Sequence, residues 1–282
     1  MATAPFRLAG VIGWPIGQSR SPLIHGHWMA EHGIAGAYLP MAVRPEALET
    51  ALRGLAALGF AGCNVTVPHK EAAARIVDRI DDVARRIGAV NTVMVEADGS
   101  LSGTNTDGVG FTESLRQGAP GWRGDEGLAV VLGAGGGARS VVASLLDLGV
   151  PEVRIANRTR ARADQLRTEF GPRVTVVDWE KRAGALDGAA LLVNTTKLGM
   201  TGEAPLHLPL DALPRAAVVT DIVFNPLHPP LLRDAAARGH RVVDGLGMLL
   251  HQARPAFRAW FGVDPRVTAE LRAKAERSVA GQ

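Results

Sequence analysis

Residues 128–138 read Leu-Ala-Val-Val-Leu-Gly-Ala-Gly-Gly-Gly-Ala, an unbroken apolar run that leads directly into a glycine-rich segment. Five consecutive apolar residues predict a buried strand of a parallel sheet. In a G-x-G-x-x-G/A pattern between a strand and a helix, the glycines allow a tight turn and close approach of a pyrophosphate to the helix amino terminus. Gly133, Gly135 and Ala138 fit that pattern. The stretch therefore predicts a doubly wound dinucleotide-binding domain; a glycine-rich turn that binds nothing is the alternative. The expected cofactor-binding residues here are Gly133, Ala134, Gly135, Gly136 and Gly137.

The end of the following strand indicates which dinucleotide is bound. An acidic residue about 20 positions downstream would bind the ribose 2′-hydroxyl of NAD, whereas an arginine there accommodates the 2′-phosphate of NADP. This region contains Asn157, Arg158, Thr159, Arg160 and Arg162, and no acid lies among them. We therefore expect NADP as the cofactor, with Asn157, Arg158, Thr159 and Arg162 as its ligands. A solvated helix face explains the basic residues further along.

Composition excludes several classes of protein. The 282 residues carry 31 Lys plus Arg against 28 Asp plus Glu, a net charge of +3, which is too small for a polybasic nucleic-acid binder. A hydrophobic content of 46% argues against disorder. Cys63 is the only cysteine, so no internal disulfide forms, and the eight histidines form no cluster with metal-ligand spacing. No run of about 18 apolar residues or signal-peptide core is present, so we expect a cytoplasmic protein that binds no membrane.

Strand-like and helical segments alternate along the chain. Besides residues 128–132, strands are predicted at 8–12, 38–43, 62–67, 89–95, 101–105, 153–156, 174–177, 191–194, 218–222 and 241–243. This alternation predicts an α/β protein with a largely parallel sheet, and Asp98-Gly99 predicts a hairpin between the fourth and fifth of those strands. We place a domain junction near Gly108. One domain then covers residues 1–108 plus the returning segment 246–282, and the other covers 109–245.

Two proline positions predict helix starts in the first domain. Ser21 is expected to be the N-cap of a helix with Pro22 at its first position, and Pro68 is expected to open another helix.

Polar side chains lie in or directly after the predicted strands of the first domain, in three groups expected to converge on one cleft. They are Ser19, Ser21, Asn64, Thr66, Lys70, Asn91 and the segment Asn105-Thr106-Asp107. Hydroxyls, amides, one lysine and one carboxylate suit a small polyhydroxylated ligand that carries an acid group. Taken singly, each has a structural explanation as a helix cap, a turn former or a solvated lysine.

Seven segments, in order, give the chain a specific resemblance. They are Ser19-Arg20-Ser21-Pro22, Asn64 to Lys70, Gly88 to Thr92, Asn105 to Gly108, Gly133 to Arg139, Asn157-Arg158-Thr159 and Asp244 to Met248. In this arrangement the chain resembles the shikimate dehydrogenases. The resemblance implies a two-domain α/β fold, with an N-terminal substrate domain, a Rossmann NADP domain and a cleft between them. It also implies the reversible, NADPH-dependent reduction of 3-dehydroshikimate to shikimate, a step of aromatic amino acid (chorismate) biosynthesis.

The resemblance further implies roles for individual residues. Ser19 and Ser21 resemble the carboxylate anchors, and Lys70 and Asp107 resemble the catalytic pair. The implied partners of the ring hydroxyls are Thr66, Asn91 and Gln252, with Asn64 shaping that pocket. Near the cofactor, the implied positions are Asp82, Ile222 and Gly245. The implied ligands are small molecules, with no nucleic acid and no metal, and the implied assembly is a monomer or a homodimer.

Two positions depart from the family pattern and keep alternatives open. Phe224 stands where the family usually has a tyrosine expected to touch the substrate carboxylate, and Lys197 stands where serine is commoner in strict shikimate dehydrogenases. A paralogue that prefers quinate or uses NAD is therefore the nearest alternative, although Arg158 argues against NAD. A non-catalytic NADP-binding sensor is an alternative of another class, against which Lys70 and Asp107 argue, because a sensor has no use for a proton relay.

Overall fold

The computed structural model of the chain describes residues 6–280. The described residues fall into two compact units. The first unit contains the described residues of the ranges Met1–Asp107 and Gln252–Ala275. The second unit contains the described residues of the ranges Gly108–His251 and Glu276–Gln282. Among residues 6–280, no helix combines the length and apolar character needed to cross a membrane.

The first unit is built on a mixed six-stranded sheet. Its strands are β1 (Arg7–Gly13), β2 (Gly36–Ala42), β3 (Phe60–Val65), β4 (Arg79–Ile80), β5 (Thr92–Val95) and β6 (Leu101–Thr104). The order is β2-β1-β3-β5-β6-β4, and the β3–β5 and β5–β6 pairs are antiparallel while the others are parallel. Its helices are α1 (Ser21–Glu31), α2 (Leu48–Ala57), α3 (Lys70–Ile76) and α4 (Asp82–Ile87).

The hairpin prediction is confirmed. Gly99 adopts a φ of +80°, a left-handed conformation that favours glycine. The Asp98 carboxylate accepts a hydrogen bond from the Ser100 N–H at 2.9 Å, which closes the turn. Strands β5 and β6 therefore pair as antiparallel neighbours.

Both predicted helix starts differ from the structure. Helix α1 begins at Ser21 itself, with Arg20 as the N-cap residue and no side-chain capping bond. The reason is local, because the Ser21 N–H donates to Ser19 Oγ at 3.3 Å. Helix α3 begins at Lys70, because the His69 N–H donates to the Thr66 carbonyl at 2.9 Å and forms a turn before the helix.

The second unit is a doubly wound α/β domain, as predicted. Its strands are β7 (Leu128–Leu132), β8 (Val153–Ala156), β9 (Val174–Val177), β10 (Ala189–Asn194), β11 (Val218–Asp221) and β12 (Arg241–Val243). All are parallel in the order β12-β11-β10-β7-β8-β9. Its helices are α6 (Gly136–Asp147), α7 (Arg160–Phe170) and α8 (Pro230–Ala237), together with most of α5 (Asp107–Gly118).

The apolar run that predicted β7 is explained by burial on both faces of this sheet. Alternate side chains of a strand point to opposite faces. Ala129 and Val131 belong to one buried cluster, and Val130 and Leu132 belong to another. An unbroken apolar run results, and the polar sites are left to the loops at the strand ends.

The last two helices, α9 (Gly245–Phe261) and α10 (Ala269–Ala280), each contribute residues to both units.

Candidate active site

A largely buried ion pair occupies the first unit, at the amino termini of α3 and α5. Lys70 Nζ lies 2.5 Å from Asp107 Oδ2, and the two side chains are 16% and 5% exposed. The Asn91 Nδ2 amide lies 2.9 Å from Asp107 Oδ1, so both carboxylate oxygens have a donor. The predicted catalytic pair is therefore brought together, and the carboxylate is held from both sides.

Asn91 is the centre of a larger amide and hydroxyl network. Its Nδ2 also lies 3.2 Å from Gln252 Oε1, and its Oδ1 accepts the Thr106 N–H at 2.9 Å. The Thr106 hydroxyl donates to the Gln252 carbonyl at 2.8 Å. The network brings Gln252, distant in sequence, to the same cluster as Asn91 and Asp107. The sequence placed Thr106 among the polar residues suited to a ligand but gave it no specific role.

Asn64 is fixed from two sides next to this network. Its Nδ2 donates to the Asn91 carbonyl and to Thr92 Oγ1, both at 3.1 Å, and its Oδ1 accepts the Tyr38 hydroxyl at 2.7 Å. Burial raises the pKa of Tyr38 well above its usual range, while a hydrogen bond with Ser21 opposes the shift. Tyr38 was missed from the sequence, where its only signal is that it is the chain's single tyrosine.

The remaining predicted substrate residues of the first unit follow strands β1 and β3. Ser19 is half-buried and Ser21 buried, in the turn that opens α1. Thr66 is half-buried after β3, where its N–H donates to the Ile12 carbonyl at 2.9 Å. Asp82, for which the resemblance implies a place near the cofactor, begins α4, where its side chain is 98% exposed and pairs with Arg85 at 2.5 Å.

The glycine loop of the second unit has the shape that its sequence predicts. Gly133 has a φ of +111°, and a Cβ there would lie 2.5 Å from Thr195 Oγ1, so only glycine fits. A Cβ on Gly135 would meet nothing within 4 Å, so the backbone is open at that point. Helix α6 follows with no side-chain cap and no acid in its first turn. Its amino terminus is thus suited to a phosphate group.

The arginines that follow β8 differ in their pairing. Arg160 forms ion pairs with Asp178 and, at 3.5 Å, with Asp164. Arg158 is exposed, and none of residues 6–280 pairs with it by a hydrogen bond or salt bridge. Arg162 and Thr159 are also exposed, and Asn157 Nδ2 donates to the Thr159 carbonyl at 2.8 Å, which shapes the loop. The Arg158 guanidinium is therefore available to an external anion.

The other predicted residues near the cofactor follow β11 and β12. Ile222 Cδ1 would lie 2.9 Å from a Cβ on Gly137, and a Cβ on Gly245 would lie 2.5 Å from the Ile222 carbonyl. Ile222 thus packs between the glycine loop and the start of α9. Phe224 is half-buried in the same loop, and Lys197 is exposed in the loop after β10.

The chain is similar to known proteins over most of its length. The chain matches the shikimate dehydrogenase substrate binding domain over residues 11–93, the shikimate / quinate 5-dehydrogenase family over 123–199 and the shikimate 5′-dehydrogenase C-terminal domain over 245–269. It is 61% identical over 267 residues to the shikimate dehydrogenase (NADP(+)) of Paramagnetospirillum magneticum, which covers 95% of this chain and 97% of that protein.

Two solved structures have a similar fold. The complex of Thermus thermophilus shikimate 5-dehydrogenase with NADP(H) and shikimate has a TM-score of 0.86 and 38% identity, covering 97% of this chain and 100% of that chain. The complex of Corynebacterium glutamicum quinate dehydrogenase with NAD has a TM-score of 0.86 and 30% identity, covering 98% and 99%. The likeness extends over both units.

Proposed function

Because the chain belongs to the shikimate dehydrogenase family, we propose that it catalyses the reversible, NADPH-dependent reduction of 3-dehydroshikimate to shikimate. This oxidoreductase reaction is a step in the biosynthesis of chorismate and the aromatic amino acids. The observation that carries the proposal is the buried pair of Lys70 and Asp107, whose nitrogen and oxygen are 2.5 Å apart within a cluster of amides and hydroxyls. A pair so placed has a use in proton transfer, and a protein that only bound a nucleotide would not need it.

Lys70 is the proton donor in this proposal. Reduction of the C3 carbonyl places negative charge on its oxygen, and a positioned acid that meets this charge contributes roughly 10²- to 10⁴-fold in rate. The Lys70 ammonium holds the proton at Nζ, and Asp107 holds Nζ in place. In the oxidation direction the same nitrogen accepts the proton from the C3 hydroxyl.

The substrate contacts in the proposal come from the first unit. Ser19 and Ser21 bind the carboxylate, and the ring hydroxyls meet Thr66, Asn91 and Gln252, with Asn64 shaping the pocket. Support comes from the hydrogen bonds that fix the amide orientations of Asn64 and Asn91 before any ligand arrives. A prearranged set of donors and acceptors lowers the cost of ordering the site on binding.

The second unit fits a bound NADP through two features. The open amino terminus of α6 suits the pyrophosphate, and Arg158, which no described residue engages, suits the 2′-phosphate. The bound cofactor supplies the hydride. Asn157, Thr159 and Arg162 complete the adenosine end, and Ile222 and Gly245 line the nicotinamide end. Asp82, for which the resemblance implies a place near the cofactor, stays part of the proposal.

The proposal includes the organisation and setting of the protein. Residues 1–108 and 246–282 form the substrate and catalytic domain, and residues 109–245 form the NADP domain. The protein acts in the cytoplasm as a monomer or a homodimer on small molecules alone.

One assay separates this function from its alternatives. Purified protein is mixed with shikimate or quinate and with NADP⁺ or NAD⁺, and formation of the reduced nicotinamide is followed. We expect fast turnover only with shikimate and NADP⁺. Preference for quinate or NAD⁺ would instead assign the paralogue function. The similarity to the Corynebacterium glutamicum quinate dehydrogenase supports including that alternative. Cofactor binding without any turnover would assign the sensor.

A further inference from the structure

A buried carboxylate in the second unit has no part in the chemistry above. Asp221, the last residue of β11, is fully buried. Both its oxygens lie 3.0 Å from Nδ2 of Asn194, its register partner at the end of β10. Its Oδ1 also accepts the Val223 N–H at 2.9 Å. Within residues 6–280, no lysine, arginine or histidine pairs with this carboxylate.

A carboxylate in this environment is costly to the fold. Burial disfavours the charged form and raises the pKa of Asp221 to about 7, although hydrogen bonds from Asn194 and the Val223 backbone lower it in part. An uncharged residue of similar shape would avoid the cost of burying an unpaired charge. A buried charge without a cationic partner lowers stability, and such groups are expected at functional sites.

The carboxylate determines the orientation of Asn194. An ionised carboxylate only accepts hydrogen bonds, so Nδ2 of Asn194 must face Asp221 and its Oδ1 must face the other way. That oxygen accepts the Thr196 N–H at 3.0 Å and the Thr196 hydroxyl at 2.7 Å. Nδ2 also lies 3.2 Å from the Leu198 carbonyl. Asp221 thereby fixes the start of the segment 195–201, which we term the β10 loop.

A second contact joins the β10 loop to the segment 222–226, which we term the β11 loop. The Thr201 N–H donates to the Asn225 carbonyl at 2.8 Å, and the Thr201 hydroxyl donates to Asn225 Oδ1 at 3.0 Å. The two loops are therefore linked at both ends, through Asn194 and Asp221 at the base and through Thr201 and Asn225 further out.

Both loops pack directly on the glycine loop. The N–H and hydroxyl of Thr195 donate to the Leu132 carbonyl at 2.8 and 2.6 Å, and Thr195 Oγ1 would lie 2.5 Å from a Cβ on Gly133. In the β11 loop, Ile222 packs over Gly137. Any shift of either loop therefore changes the surface that meets the cofactor.

We propose that Asp221 is a positioning residue of the cofactor site, which acts through Asn194 to hold the β10 and β11 loops against the glycine loop. The inference rests on the proposed function of the glycine loop as a dinucleotide site. The carboxylate does not touch the cofactor, and its effect reaches the cofactor only through Thr195, Thr196 and Ile222.

The first test is the Asp221→Asn variant. The new amide keeps the shape. Its oxygen can take the place of Oδ1 and accept the Val223 N–H, which leaves its single NH₂ group in the place of Oδ2, facing Nδ2 of Asn194, so one charge-assisted bond is replaced by two facing donors. We expect the Kd for NADPH, measured by fluorescence titration at pH 8, to rise roughly tenfold, the size of one hydrogen bond to a charged group. The KM for shikimate at saturating NADP⁺ should stay unchanged. The urea midpoint should hold or rise, because removal of the buried charge outweighs the cost of the two facing donors.

Comparison of the NADPH Kd with the urea midpoint distinguishes a positioning role from a merely structural one. A positioning role predicts a higher Kd without a lower midpoint. A structural role would lower the urea midpoint together with NADPH affinity. The control is Asp211→Asn, the same change at a 77% exposed aspartate of the second unit that pairs with Arg238, and it should leave the NADPH Kd unchanged.

A swapped pair provides the second test, also usable if the single variant does not fold. In the double variant Asn194→Asp/Asp221→Asn, the carboxylate and amide exchange places. A carboxylate oxygen can still accept from Thr196 and the new amide can donate to the carboxylate, while the longer contact with the Leu198 carbonyl, at 3.2 Å, is lost. We expect its NADPH Kd to lie within a few-fold of the unaltered protein. An unchanged Kd in Asp221→Asn, or no recovery in the double variant, would overturn the inference. Failure of the unaltered protein to bind NADPH would instead overturn the proposed function.

Discussion

Lys70 Nζ and Asp107 Oδ2 are 2.5 Å apart, and the other oxygen of Asp107 is held by Asn91. The carboxylate cannot rotate away from the ammonium without losing the Asn91 bond. An ammonium group has three N–H donors, so one serves Asp107 while others remain for a substrate oxygen. In the proposed mechanism, this geometry orients the proton donor before substrate binds, and positioned acid catalysis gains its rate from such an arrangement.

Replacement of Lys70 tests that assignment. We expect Lys70→Ala to lower kcat at least about a hundredfold, because the developing oxyanion loses its proton donor, with little change in the KM for shikimate. Lys274→Ala is the control, the same change at an exposed lysine of the first unit. Steady-state kinetics with shikimate and NADP⁺ give both constants. Near-normal turnover in Lys70→Ala would remove Lys70 from the mechanism.

The phenylalanine at position 224 predicts weaker binding of the substrate carboxylate. The family usually has a tyrosine here, and its hydroxyl is expected to bind that carboxylate. A hydrogen bond to a charged group is worth about 1.5 to 3 kcal/mol. We therefore expect Phe224→Tyr to lower the KM for shikimate roughly tenfold or more, with kcat nearly constant. Phe6→Tyr, at a phenylalanine that is 65% exposed, controls for the added hydroxyl. A KM that does not improve would contradict this role.

The parts of the fold that the sequence predicts are those governed by local pattern. The run before Gly133 predicts β7 because both faces of that strand are buried, and Asp98-Gly99 predicts the hairpin because the turn chemistry is local. The start of α1 is not predicted correctly, since Ser21 is already the first helical residue and its own N–H donates to Ser19 Oγ. Short-range rules cannot settle which of two nearby serines precedes the helix.

Long-range contacts within each unit are the part that the sequence does not predict. The Asn194–Asp221 pair joins residues 27 positions apart, and Tyr38 reaches Asn64 across 26. Each depends on strand order, because β10 and β11 must be neighbours before their last residues can meet. The ion pair between Arg160 and Asp178 is likewise a long-range contact. Only the structure shows that Arg160 is paired while Arg158 is not.

The difference in pairing between Arg158 and Arg160 predicts which arginine selects NADP over NAD. Arg158 is the one without a partner among the described residues, so we expect Arg158→Ala to raise the KM for NADP⁺ roughly tenfold to a hundredfold and to leave the KM for NAD⁺ nearly unchanged. Arg160→Ala is the matched control, because its guanidinium already binds Asp178 and Asp164. Equal losses for both cofactors in Arg158→Ala, or a larger loss in Arg160→Ala, would place the 2′-phosphate elsewhere.

The stability of the fold should depend on pH through His25. Its imidazole is fully buried and stacks on Tyr38, with ring centroids 4.0 Å apart and planes within 4°. Burial lowers the pKa of His25 to about 3, whereas an unfolded histidine titrates near 6.5. Between these values the unfolded chain binds a proton that the folded chain does not. The stabilisation is therefore fully present above about pH 6.5 and is lost as the pH falls towards 3.

Replacement by phenylalanine removes this proton while keeping an aromatic ring against Tyr38. For the unaltered protein we expect the free energy of unfolding to fall by about 1.4 kcal/mol per pH unit from this group below pH 6. In His25→Phe the slope between pH 4 and 6 should be shallower by that amount, as measured from urea midpoints at each pH. His228→Phe, at an exposed histidine, should keep the full slope. If His25→Phe and the unaltered protein lose stability in parallel, then His25 is not the group whose burial makes the fold sensitive to acid, and the cause must lie with other titrating side chains.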